Sequence, residues 1–141
     1  MITIIQLNCH SSWNDRHYVS VAIRSIDLDI VLNHTGLPYN HIKLYGYDTC
    51  YTKGTCHDGI AVMVKSTLQH IHISDWPSTH FLAAKIHTQH RQLLVATTNC
   101  RPGTGVPLNS LNNLFNHTNI PIYILADLNA QHTAFRHTTN N

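Results

Sequence analysis

The first 33 residues change hydrophobic period twice, and this limits the architectures open to the chain more than any other feature. Ile2, Ile4, Ile5 and Leu7 form an apolar run of strand length. Asn14 and Asp15 follow with side chains suited to capping a helix, and Tyr18, Val19, Ala22, Ile23 and Ile26 then recur at helical spacing. Asp29-Ile30-Val31-Leu32 is short and apolar again. A strand, a helix and a strand in succession make the crossover that lays two strands side by side in parallel, because parallel neighbours need a long connection. An α/β fold follows, and the loops after its strands are where a ligand would sit.

Further along, the pattern is one of short strands joined by hairpins. Gly59-Ile60-Ala61-Val62-Met63-Val64-Lys65, then Ile71 and Ile73, then Phe81 to Ile86, then Leu93 to Thr97 are separated by polar turns, with tips at Ser78-Thr79 and at Gln89-His90-Arg91-Gln92. The Gly/Pro-dense stretch Arg101 to Pro107 predicts a loop. Leu108, Leu111, Leu114 and Phe115 share one face of a short helix, and Pro121 to Ala126 predict a last buried strand ending at Asp127.

Length and composition bound the rest. The 141 residues fit one domain spanning 1–141, and 11% charged against 43% hydrophobic residues exclude the disordered class. A formal charge of +2 is too small to name a polyanionic partner. No apolar run approaches the roughly 18 residues of a membrane span, and Met1 to Leu7 lack the basic start and small-residue cleavage site of a leader. The expectation is a soluble intracellular chain with no membrane partner and no organic cofactor. Cys9, Cys50, Cys56 and Cys100 contain no C-x-x-C pair and read as free thiols, with a Cys50–Cys56 bridge as the minor alternative. All seven acidic residues are Asp, which excludes any chemistry that needs a glutamate.

Polar residues stand directly after three of the apolar strands: Asn8, His34, and Asp127 with Asn129. Alternate residues of a strand share a face, so Asp127-x-Asn129 presents a carboxylate and an amide together. The first can take a proton or orient water, and the second can donate to a phosphate oxygen. The plainer reading is that Asp127 caps a turn and Asn129 forms an Asx-turn.

Taken in order, five segments resemble the endonuclease/exonuclease/phosphatase superfamily, and within it the apurinic-type endonuclease domains of LINE-type (non-LTR) retrotransposons. They are Leu7-Asn8, Asp29 to Thr35, Gly59 to Lys65, Thr97-Thr98-Asn99-Cys100-Arg101-Pro102, and Ile124-Leu125-Ala126-Asp127-Leu128-Asn129-Ala130. The resemblance implies a two-sheet α/β sandwich with mixed strands and flanking helices, and Mg²⁺- or Mn²⁺-dependent cleavage of a phosphodiester in DNA, in the nucleus if the substrate is chromosomal. It implies that Asp127 orients or deprotonates water, that Asn129 and Asn99 work at the phosphate, and that Asn8 and His34 stand on the metal side.

Three departures accompany it. His34 stands where the family has a metal-binding Glu, and Asn99 where it usually has Tyr. The family's later strands, with a further Asp and a Ser-Asp-His segment, have no counterpart after Asn129. The expectation is therefore the N-terminal portion of such a domain, with impaired nicking and exposed sheet edges. The rival readings are an inactive retroelement remnant and a His-rich metal-binding protein. For the latter, His70-x-His72 and His87-x-x-His90 each offer two of thirteen histidines and need further ligands; otherwise the histidines are exposed polar residues.

Overall fold

A computed structural model describes residues 1–8, 16–34, 43–52, 59–73, 80–100, 106–116 and 118–128. In these, β1 (Ile4–Asn8), α1 (Arg16–Ser25) and β2 (Ile30–His34) form the predicted crossover unit, and β1 pairs with β2 in parallel. β3 (Tyr47–Tyr51) and β4 (Ile60–Lys65) complete a first sheet in the order β1-β2-β4-β3. β5 (Gln69–Ile73), β6 (Phe81–His87), β7 (Gln92–Asn99), α2 (Leu108–Asn116) and β8 (Ile122–Asp127) build the second, in the order β5-β6-β7-β8. Both sheets are mixed, with one parallel pair each, and the molecule is an α/β sandwich.

Side-chain alternation explains the layering. Ile30, Leu32, Ile60, Val62 and Val64 from one sheet meet Leu82, Ala84, Ile86, Leu93 and Val95 from the other. Full burial of an aliphatic side chain of this size contributes about 1.5–3 kcal/mol, so this seam is the main source of cohesion. The intervening residues face outward: Val31 and Met63 pack with Ile23 of α1, while Phe81, Ala83, Leu94 and Ala96 pack with Leu114 of α2. β2 is buried along its whole length because it is sandwiched on both faces, which is why it reads as a continuous apolar run.

Several expectations need correction. The hairpin reading joins β4 to β5, but the turn at 66–68 carries the chain from one sheet into the other, and Leu68 packs against the inter-sheet core. β8 is not a buried strand. Tyr123 and Ile124 are 40% and 37% exposed, since β8 lies at the end of its sheet with β7 as its paired neighbour. On α1, Ile23 is buried whereas Ala22 and Ile26 are exposed. The helix stops at Ser25, so Ile26 falls outside its apolar face, and beyond Asp27, in a left-handed conformation (φ 51°), Leu28 packs in the core. Leu108 and Phe115 of α2 are likewise exposed, leaving Leu114 and Leu111 to make the contact.

The expected caps Asn14 and Asp15, the tip at Ser78-Thr79, most of the Arg101–Pro107 loop, and Cys9 and Cys56 lie outside the described residues. The second tip forms as expected. Thr88 N donates to Arg91 O at 2.9 Å, and the Thr88 hydroxyl accepts from Arg91 N at 3.0 Å. Cys50 and Cys100 are free thiols.

Candidate functional site

The two parallel pairs bring the predicted residues together. Asn8 is the register partner of His34 across β1 and β2, and Asn99 is the register partner of Asp127 across β7 and β8. Register partners in a sheet point to the same face. Ile4 and Leu32 belong to the inter-sheet core and have the same parity as Asn8 and His34; Val95 and Leu125 do so for Asn99 and Asp127. All four therefore face the space between the sheets at the carboxyl ends of their strands. That placement follows from alternation alone once the sheet order is known.

Hydrogen bonds between described residues cross this space. Asn8 Nδ2 donates to Asp127 Oδ2 at 2.7 Å, joining the end of the first sheet to the end of the second. Deeper, His34 is 1% exposed, and its Nε2 lies 3.2 Å from the hydroxyl of Thr97, which is 0% exposed. Asn99 is also buried, with its backbone N–H donating to His80 O at 3.3 Å, and Cys100 N donates to Asp127 O at 2.8 Å. The result is a carboxylate held at the cleft mouth by an amide, above an imidazole locked to a threonine. Asn129 lies outside the described residues.

Thr97 is the residue that sequence reading passes over. In the sequence it is one hydroxyl of the polar Thr97-Thr98-Asn99 end of its strand, and its partner 63 positions earlier becomes visible only when the sheets face each other.

The implied divalent metal can be tested against these donors. Mg²⁺ takes near-octahedral oxygen ligands, usually including carboxylates. Among the described residues the cleft offers the Asp127 carboxylate, the amides of Asn8 and Asn99, the Thr97 hydroxyl, and an imidazole nitrogen at His34 already engaged with that hydroxyl. No three His, Cys, Asp or Glu among the described residues form a metal-holding group. This donor set does not fit Mg²⁺.

Comparison with solved structures decides the fold. The chain aligns over 94% of its length with the endonuclease domain of TRAS1, a telomere-specific non-LTR retrotransposon, at a TM-score of 0.73 and 13% identity. The two-sheet α/β fold is shared with that endonuclease domain. D. rerio TDP2 complexed with a single-strand DNA product matches over 93% of the chain (TM-score 0.69, 12% identity), and an AP endonuclease from Archaeoglobus fulgidus over 92% (TM-score 0.67, 16% identity). The chain spans 61%, 62% and 58% of those three solved chains, respectively. No family model and no curated protein sequence matches it.

Proposed function

We propose that the cleft between the two sheets is a phosphodiester site of the DNA-nicking kind found in retroelement endonucleases, with hydrolysis impaired by the residues that line it. The observation that carries this reading is the Asn8–Asp127 hydrogen bond, which fixes a carboxylate at the shared carboxyl ends of both parallel pairs. Asp127 accepts the proton of an attacking water, and the amide of Asn99 donates to a phosphate oxygen. Asn129, two positions after Asp127 in the sequence, adds a second amide donor. DNA as the substrate is supported by two of the similar structures, the retrotransposon endonuclease and the TDP2 complex with a DNA product.

Impairment has a chemical basis. His34 puts a buried nitrogen where the resemblance calls for a carboxylate, and a catalytic set that acts as a unit loses most of its rate when one member is missing. Supercoiled plasmid incubated with the chain and Mg²⁺ or Mn²⁺ tests the assignment. Slow nicking that disappears in Asp127→Ala is expected. Equal nicking by both proteins would sink the role given to Asp127, and nicking that is absent from both would leave the inactive remnant as the reading.

A further inference from the structure

The opposite edge of the sandwich holds a second polar cluster that the cleft does not use. β3 and β5 are the end strands of their sheets, and the residues that face each other across that end are Asp48 and Cys50 from one, His70 and His72 from the other. His70 Nδ1 lies 2.7 Å from the carbonyl oxygen of Leu68. A carbonyl can only accept, so Nδ1 is the donor of this contact and Nε2 is the ring nitrogen left facing Asp48. Nε2 lies 3.6 Å from Asp48 Oδ2, too long for a hydrogen bond. The other Asp48 oxygen accepts from the Ser66 hydroxyl at 3.0 Å.

We propose that Asp48 and His70 form the preset half of a Zn²⁺-type binding site, completed by His72 and solvent water. Two donors bound to a tetrahedral zinc at about 2.0–2.2 Å sit about 3.4 Å apart, close to the observed separation. Both donors also have the outer-shell support that metal ligands show: an imidazole N–H held by a backbone carbonyl and a carboxylate held by a hydroxyl. The third arm is at hand. The His72 ring centroid lies 5.0 Å from that of His70, and both ring nitrogens of His72 are buried with no hydrogen-bond partner. As the side chains stand, no three donors among the described residues converge on one point. The proposed site needs the His72 ring to turn toward the pair, a movement that breaks no hydrogen bond among the described residues. Cys50 packs against the apolar core and is not a ligand. The Asp48 side chain is 57% exposed, which gives an ion a path in from solvent.

Calorimetric titration of the whole chain with zinc chloride at neutral pH tests the assignment, with each variant first checked for a cooperative melt. One equivalent bound with micromolar affinity is expected, weakened about tenfold or more in His70→Gln, Asp48→Asn and His72→Gln and unchanged in His90→Gln at the exposed hairpin tip. Absence of binding, or wild-type affinity in the His70 and Asp48 variants, would overturn the site in favour of adventitious capture by other histidines. If a variant fails to fold, nitrogen NMR of the wild-type histidine rings decides: zinc must move the His70 Nε2 resonance, and shifts confined to other rings overturn the proposal. The outcome is independent of the plasmid assay, since the cluster lies at the other edge of the sandwich.

Discussion

At the residue scale, His34 carries the most consequence. Its place in the cleft is fixed by register with Asn8, and its chemistry by the bond to Thr97. Replacing it with Glu separates position from ligand type. His34→Glu is expected to raise Mg²⁺ affinity by about tenfold or more, because it adds a hard oxygen donor beside Asp127. It should also cost about 1–3 kcal/mol or more of stability without metal, since it places a carboxylate in a fully buried position. Urea denaturation with and without Mg²⁺ measures both effects, and a variant that Mg²⁺ does not stabilise would show that the cleft lacks more than one ligand. Asn8, His34 and Asp127 stand out in the sequence as polar residues ending apolar strands, and Asn99 only through the Thr97–Pro102 segment that carries the resemblance. Thr97 does not, because a hydroxyl in a strand is ordinary until its cross-sheet neighbour is known.

At the element scale, most strands announced themselves through apolar runs, and the two helices through period. β3 escaped notice because Tyr47-Asp48-Thr49-Cys50-Tyr51 has only two apolar side chains facing any core: Cys50 inside and Tyr47 toward α1. Its partner, β4, is what makes it a strand. β8 shows the converse, an apolar run that reads as buried and is half-exposed, because burial depends on how many neighbours a strand has. Among the described residues β8 ends its sheet, and an unpaired strand edge is a template for pairing with another chain. The protein is expected to self-associate as its concentration rises, and Ile124→Lys should suppress this with little effect on the melt, as Ile124 is 37% exposed. Sedimentation velocity across a concentration series reads it directly; a monomer throughout would count against an active β8 edge.

At the scale of the whole molecule, the inter-sheet seam has a proton-sensitive corner. Burial lowers the pKa of His72 below its ordinary 6.5, the neighbouring His70 lowers it further, and Asp48 opposes the shift. The folded state therefore binds this proton less readily than the unfolded state. Its contribution to stability is complete above the unfolded value and is lost as pH falls through that value toward the lower folded one. With a chelator present, the melting temperature should decline from pH 7 to pH 5, more gently in His72→Gln. An identical slope in both proteins would show that other groups control acid sensitivity. Among the described residues no helix is long and apolar enough to cross a membrane.

Sequence by itself determined the kind of elements, the parallel start, and the polar residues that end the strands, because these depend on local period and on side chains next to one another in the chain. Only the tertiary structure decided that β4 and β5 part into different sheets, that Asn8 reaches Asp127 across 119 positions, and that Asp48 confronts His70 at the far edge. Those contacts depend on which faces of two sheets oppose each other, and that is fixed by the packing of the whole core.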